Sequence, residues 1–263
     1  MKISVVTATF NSGGTVEETL RSVLGQTHRD WQHIIVDGGS TDDTLEIIRR
    51  YESEYGDRLI VISEPDRGIY DAMNKGIALA EGEIIGMLNS DDFYTRDTVL
   101  ERIAKAYQEN PDDLEAVYGD IMYVDADNLK RVVRYYSSQG FRRWKMRLGF
   151  MPAHPSFYCR RELYERHGNF DLDFRIAADF ENLLRIIYNG RAKIKYLPMN
   201  FVTMRMGGAS TSGMSSHRNI YRDHVKAYRK NGIGLGPVLD LLRYPYKIGE
   251  LISYRLQLHK IEG

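Results

Sequence analysis

The sequence predicts an α/β fold: a mostly parallel sheet covered by helices on both faces, with a smaller antiparallel part appended. Three observations carry that reading. Through roughly the first hundred residues, short β-rich runs alternate with helical patterns, and each run ends on a turn or capping signal. Beyond residue 115 this rhythm gives way to two β-rich runs flanking a polar turn. Hydrophobic residues at 43% and charged residues at 27% suit a folded globular chain rather than a disordered or fibrous one.

Ile3 to Phe10 reads as the first strand. Thr15-Val16-Glu17-Glu18 reads as a capping box opening a helix to about Leu24. Trp31 to Val36 is the second strand; after DGGS, Ser40 or Thr41 is expected to cap a helix reaching about Tyr55, with Leu45 and Ile48 on its buried face. Leu59 to Ile62 is a third strand, Ile69 to Ala80 a helix and Ile84 to Leu88 a fourth strand. A helix from Thr95 to Asn110 closes before Pro111. AVYGDIMYVD and LKRVVRYY then flank Asp125 to Asn128 as an antiparallel hairpin. Ala177 to Asn189 is a helix stopped by Gly190, followed by two short strands near Ala192 to Tyr196 and Phe201 to Met206. GGASTSG, Gly207 to Gly213, is expected to be a mobile loop that orders over substrate. The stretch from Leu239 to Leu258 interleaves Leu, Ile and Tyr with Arg243, Lys247 and Arg255 near helical spacing.

No window reaches the roughly 18 uncharged apolar residues of a spanning helix, and MKISVVTATF shows no leader pattern. A lone cysteine, Cys159, excludes an internal disulfide framework and a cysteine zinc site, so a reducing cytoplasm is the expected compartment. The net charge of zero hides a segregation. Residues 1–130 carry 12 Lys+Arg against 26 Asp+Glu, and residues 131–263 carry 24 against 10. An acidic half that must bind an anion does so through a cation, and a basic half suits an anionic partner; mutual attraction of the halves is the simpler alternative.

In parallel α/β sheets ligands bind outside the carboxyl ends of the strands, so the residues that end each strand are the candidates. They are polar and acidic: Thr7, Thr9 and Asn11, then Asp37, then Glu64 and Asp66, then Asn89, Asp91 and Asp92. Converging carboxylates repel one another unless a hard cation or a donor-rich ligand lies between them, and adjacent Asp91 and Asp92 are natural oxygen ligands for Mg²⁺ or Mn²⁺. In EPDRGIYDAMNKG, Arg67 or Lys75 is placed to reach a phosphate, and the plain alternative is an Asp71–Lys75 surface pair. His154 beside Pro155 has two readings, shaping an acceptor pocket or, the commoner role of such a residue, structural, and Cys159 between Tyr158 and Arg160 reads as a buried strand residue.

Taken in order, VVTATFN, VDGGSTDDT, SEPDRGIYDAMNKG and an NSDD after an apolar strand resemble the family 2 glycosyltransferases of GT-A fold. The likeness extends to bacterial exopolysaccharide and colanic-acid-type transferases. It covers about residues 1–205, which would form the catalytic domain, with 1–115 as the nucleotide-sugar half and 116–205 as the acceptor half; residues 206–263 would be loop and appendage. HPSFYCRRELYERHGNFD and AADFENLLR look like that acceptor half. The resemblance implies that Thr7, Thr9, Asn11 and Asp37 hold base and ribose, with Asp37 accepting the uracil N3 proton. Asp66 and Lys75 would lie beside base and diphosphate, while Asn89, Asp91 and Asp92 fill the DXD-like position, Asp91 and Asp92 holding ribose and metal. Asp179 would deprotonate the acceptor hydroxyl. Two departures stand out: Asn89 occupies the first DXD position, and Ala178 stands where many relatives have Glu.

What this implies is an inverting, single-addition transferase, since the QxxRW element of processive synthases is absent. It would move a sugar from a UDP-sugar, with GDP and dTDP open, to a glycan or polyprenyl-diphosphate-linked acceptor, with Mn²⁺ or Mg²⁺ as cofactor and no nucleic acid partner. A sugar-1-phosphate nucleotidyltransferase would need a basic Gly-rich loop after strand one, where this chain has NSGGT. A silent nucleotide-sugar-binding scaffold subunit has no need of Asp91, Asp92 and Asp179 together. For the basic C-terminal stretch the sequence leaves two roles open: binding an anionic surface at the inner face of the plasma membrane, or packing on the domain or on a second copy in a homodimer.

Overall fold

The structure, a computed structural model, describes residues 1–207 and 213–241. Its elements run β1 (Ile3–Thr9), α1 (Val16–Leu24), β2 (Trp31–Asp37), α2 (Thr44–Arg50), α3 (Glu52–Tyr55), β3 (Leu59–Ser63), α4 (Ile69–Leu79), β4 (Ile84–Met87), β5 (Phe93–Tyr94), α5 (Val99–Gln108), β6 (Ala116–Val124) and β7 (Val132–Tyr136). They continue with β8 (Phe157–Arg160), α6 (Arg161–His167), α7 (Ala178–Leu183), β9 (Ile194–Arg205), α8 (Gly213–Lys230) and α9 (Gly236–Asp240). The sheet is ordered β3-β2-β1-β4-β8-β6-β9-β5, with β7 paired to β6. β3, β2, β1 and β4 are parallel; β8 runs against both β4 and β6, and β9 is parallel to β6. The carboxyl ends of β1, β2, β3, β4, β6 and β9 therefore share one edge, and the chain enters β8 at the same edge.

The central strands are buried on both sides, as a doubly covered sheet requires. One core layer joins Ile3, Val5 and Ile35 to Val16, Leu20 and Val23 of α1, Ile47 and Ile48 of α2, and Ile103 of α5. The other joins Val6, Ile34 and Val36 to Ala72, Met73 and Ile77 of α4, with α6, α7 and α8 beyond. Cys159 is a buried strand residue.

Several boundaries differ from expectation, each because a side chain or strand took another partner. Thr15 makes no capping box: its hydroxyl donates to the Ser12 carbonyl at 3.3 Å, and Glu18 pairs with Arg205 instead. Neither Ser40 nor Thr41 caps α2, which starts at Thr44, because Ser40 is bonded to Asp37 and Thr41 to Asn11. The helix expected from Thr95 begins only at Val99: Phe93 and Tyr94 form β5 against β9, and the Thr95 N–H donates to the Phe201 carbonyl at 2.9 Å. The helix expected to Asn189 is α-helical to Leu183 and ends in a π turn, Leu184–Asn189. The two strands expected after it are one, β9, both halves of which pair with β6. Its register steps from Tyr118↔Tyr196 to Asp120↔Asn200, so three residues including Pro198 stand opposite Gly119, and the bulge accommodates a proline that cannot donate to the ladder. The expected hairpin is present as β6 and β7. Residues 208–212 of the GGASTSG loop and the stretch beyond Leu241 lie outside the described residues.

Candidate active site

The loops leaving β1, β2, β3 and β4 are tied together at the shared edge. Ser12 and Ser90 hydroxyls lie 2.8 Å apart, linking the ends of β1 and β4. Asn11, with φ of 48°, accepts from the Thr41 N–H at 2.9 Å and donates its own N–H to Ser40 Oγ at 2.8 Å, linking β1 to the turn after β2. A Cβ on Gly38 would stand 2.6 Å from an Asp66 carboxylate oxygen, so this glycine permits the ends of β2 and β3 to meet.

The predicted residues differ in how free their polar atoms are. Thr7 is fully buried; its hydroxyl donates to the Leu88 carbonyl at 2.7 Å and meets His33 Nε2 at 2.8 Å, a bond inside the sheet rather than at its mouth. Burial pushes His33 down to about 3, so that ring is neutral. Thr9, at the strand end, is buried with no partner for its hydroxyl. Asp37 is buried among donors: its Oδ2 accepts from the N–H groups of Gly39 (3.1 Å) and Ser40 (3.0 Å) and from Ser63 Oγ (2.7 Å), and Oδ1 accepts from Ser40 Oγ alone. Oδ1 keeps acceptor capacity for a ligand. Asp66 accepts from the Gly68 N–H at 2.7 Å. Lys75 pairs with Glu64 at 2.7 Å and donates to the Pro65 carbonyl at 3.1 Å, and the side-chain bond to Glu64 raises its pKa. The Asp71–Lys75 surface pair does not form, because Asp71 takes the Arg67 N–H and guanidinium.

After β4, Asp92 is 1% exposed and its Oδ2 accepts from Asn89 Nδ2 at 2.9 Å. Asn89 Oδ1 is buried without a partner. Burial raises the pKa of Asp92 well above the usual carboxylate range, with the neighbouring Asp91 adding to it; burial also raises Asp91, against the pull of Arg205. That arginine was not read from the sequence, although it ends β9 at this edge and the strand-end rule applied to β9 would have found it. Its side chain is 10% exposed, lies over the Phe93 ring at 5.6 Å, and has Nη2 at 3.2 Å from Glu18 Oε2; its Nε is buried without an acceptor.

Asp179 lies in the first turn of α7, half-buried. Its Oδ1 accepts from the Phe180 N–H at 2.8 Å and from the Tyr70 hydroxyl at 3.4 Å. Burial outweighs these bonds and holds its carboxyl at about 6. Tyr70 comes from α4, four residues after Asp66, and also donates to the Ile176 carbonyl. It therefore links the end of β3 to the loop that carries Asp179. The Tyr70 ring packs on Phe170, and Phe170 on His154, which is buried and pushed down to about 4. Asp120 of β6, another buried carboxylate the sequence did not single out, is satisfied by Tyr135 (2.6 Å), Tyr196 (2.8 Å) and the Ser138 N–H (2.7 Å) and braces β7 and β9.

The polar side chains that end the parallel strands thus share one sheet edge, and Tyr70 ties α4 to the loop that carries Asp179. Residues 4–168 match the family described as Glycosyl transferase family 2. The chain belongs to glycosyl transferase family 2, and it is a glycosyltransferase. It is 31% identical over 195 residues to the PGL/p-HBAD biosynthesis glycosyltransferase of Mycobacterium tuberculosis, covering 74% of this chain and 73% of that protein. Among solved structures it is similar to S. aureus TarS 1-349 in complex with UDP-GlcNAc, with a TM-score of 0.67 at 19% identity over 86% of this chain and 66% of that one. It spans 38% of a longer TarS chain. It is also similar to the mannosyltransferase PcManGT from Pyrobaculum calidifontis in complex with GDP-Man and Mn²⁺, with a TM-score of 0.65 at 17% identity over 97% of this chain and 79% of that one. The fold of this family 2 member is GT-A.

Proposed function

We propose that this family 2 enzyme is an inverting transferase that moves one sugar from a nucleotide-diphosphate sugar, UDP-linked by preference, to a hydroxyl of a glycan or polyprenyl-diphosphate-linked acceptor in surface polysaccharide synthesis. The observation that carries it is Asp179: a half-buried carboxyl held at about 6, bonded to Tyr70 in the first turn of α4, just after the end of β3. A base with that value is ionised at neutral pH yet keeps enough basicity to take a proton from an attacking hydroxyl. Thr9, Asn11, Asp37 and Asp66 line the strand ends where base and ribose would lie, with Thr7 bracing them from within the sheet. Lys75, paired with Glu64, would lie with Asp66 beside the base and diphosphate.

The residues after β4 fit a hard divalent cation such as Mn²⁺ or Mg²⁺. Asp91, Asp92 and the orphaned Asn89 Oδ1 offer only oxygen donors. Among the described residues no three His, Cys, Asp or Glu side chains gather to enclose an ion by themselves, so the diphosphate would complete its shell. When bound, such an ion neutralises the diphosphate as it leaves. Within this frame Asp179 takes the acceptor proton, Tyr70 holds the Asp179 carboxylate, and Asp37 orients the base.

Among the described residues no helix is long and apolar enough to cross a membrane. Support for an anionic membrane surface as partner comes from α8 and α9: Arg218, Arg222 and Arg229 are exposed, and so are Leu235, Val238 and Leu241. Co-sedimentation with anionic but not neutral vesicles tests that part. The central reading is tested by sugar transfer from a panel of UDP-, GDP- and dTDP-sugars in Mn²⁺ and in EDTA. Release of nucleoside diphosphate that ignores Mn²⁺ would refute the metal assignment, and unchanged turnover in D179N the assignment of the base.

A further inference from the structure

The loop that delivers Asp179 is held from both sides. On one side Tyr70 of α4 donates to the Ile176 carbonyl and to Asp179. On the other, a single carboxylate oxygen of Asp223, on α8, accepts from the N–H groups of Ile176 at 3.1 Å and Ala177 at 3.2 Å. Ala177 is the N-cap, the residue just before α7, and such an end leaves backbone donors without intrahelical partners. Asp223 supplies the acceptor in trans, from a helix more than forty residues further along the chain.

Neighbouring contacts clamp the same two elements. His224 stacks on Phe180, the residue after Asp179, with ring centroids 3.9 Å apart and planes 12° apart, and Tyr228 meets the same ring edge-on. Lys226 donates to the Asp173 carbonyl at 2.9 Å and lies 4.6 Å over the Phe174 ring, while Lys230 pairs with Asp171. Every described turn of α8 from Asp223 onward thus grips the segment 171–180. α8 lies outside the stretch matched to the family, residues 4–168, and so does Asp179.

We infer that Asp223 is the positioning residue of the catalytic base: it fixes the start of α7 through two backbone hydrogen bonds and places a negative charge behind Asp179. The inference rests on the reading of Asp179 as the base. Two consequences separate. The hydrogen bonds set where the carboxylate points, and small misplacements of a reacting group cost about 10²-fold in rate. The charge disfavours ionisation of Asp179, adding to the larger effect of burial. The groups facing Asp179 from the packed elements are Tyr70 from α4 and Asp223 from α8, with the His224 ring one residue further on.

Three full-length variants test this: D223A, D223N and D179N. The amide oxygen of D223N still accepts from both N–H groups, whereas D223A accepts from neither. D223A is expected to lower kcat about 10- to 100-fold with donor Kd, read by calorimetry, unchanged. Hydrogen exchange should show Ile176 and Ala177 losing protection in D223A and keeping it in D223N. D223N should lose far less rate than D223A, and the acid limb of its kcat/KM profile should move to lower pH. Wild-type kcat and wild-type protection in D223A would overturn the proposal, as would D223N as slow as D223A or a donor Kd that rises in step with the lost rate. If D179N turns over normally, the base reading has failed and this inference with it; if D179N is dead while D223A is normal in rate and exchange, only the positioning role has failed.

Discussion

Replacing Asp179 with Asn should destroy activity and stabilise the fold, and the two effects have one origin. The isosteric amide keeps an oxygen for the Phe180 N–H and the Tyr70 hydroxyl but cannot take a proton. Transfer should fall by roughly 10²- to 10⁴-fold, the usual worth of a general base, with donor affinity intact. The wild-type carboxyl is raised from an ordinary 3.8 to about 6 in the fold. A group raised in this way contributes its stability fully below the unfolded value and loses it as pH rises through the folded one. The displacement of about two pH units corresponds to about 3 kcal/mol as an upper bound; the side chain is half-buried rather than sealed, so part is screened and about 1 to 2 kcal/mol is expected. D179N should therefore match the wild type near pH 4, pull ahead between pH 4 and 6, and hold a constant lead above pH 7. Urea unfolding of both proteins at pH 4.5, 6 and 8, without donor, reads this directly. A D179N protein no more stable than wild type at pH 8, or a lead that does not change with pH, would refute the claim that burial of this charge sets its basicity.

The same carboxyl should give the wild-type kcat/KM profile an acid limb near pH 6, rising with pH as Asp179 ionises, which a pH–rate series checks. Y70F removes a hydroxyl that donates to both Ile176 and Asp179; it should lower kcat and cost about 0.5–1.5 kcal/mol in urea unfolding, with donor Kd unchanged. D92N is expected to lower Mn²⁺-dependent transfer far more than it lowers stability, and equal activity of the wild type in EDTA and Mn²⁺ would defeat that expectation. G86A would put a Cβ 1.9 Å from the Tyr158 ring between β4 and β8, an overpacking that should cost about 1–3 kcal/mol by thermal or urea unfolding.

The local signals held where the chain's own neighbours decide its shape. The β-rich runs, the helical periodicity of Ile69 to Ala80 and the turn at Asp125 to Asn128 are such cases, and all appear as elements. They failed where a distant partner decides. Thr95 became a strand exit because β9 arrives beside it, and the capping hydroxyl of Ser40 was taken by Asp37. The two runs read as separate strands before and after Pro198 are one strand, because β9 bulges there opposite Gly119 of β6. The site shows the same division. Strand-end carboxylates are legible because parallel topology fixes which end carries them. Tyr70 stood inside a string already read as functional and was passed over because its partners, Ile176 and Asp179, lie over a hundred residues away. Asp223 carries no local signal, since one acidic residue in a charged helix looks like solvated surface until the helix is docked.

Charge segregation along the chain admits two explanations, and the ion pairs discriminate between them. Had the acidic and basic halves evolved mainly to attract each other, most pairs would cross between them. Among the described residues the crossings are Arg166–Glu115, Lys193–Asp113, Arg205–Glu18 and the hairpin-turn contact Arg131–Asp125. Three of the four have a lysine or arginine at least half exposed, where an ion pair contributes at most about 1 kcal/mol and salt screens it. The remaining pairs join residues of the same half, Lys75 to Glu64 and Lys230 to Asp171 among them. The exception is Arg205, largely buried at the sheet edge, where it lowers Asp91 and Asp92 against the burial that raises them. Burial disfavours the charged form of both carboxyls, and one guanidinium shared with Glu18 offsets only part of that. The pairs that cross between the halves are thus mostly exposed and weak, so mutual attraction accounts for little of the segregation, and Arg205 alone among them reaches the carboxyls after β4.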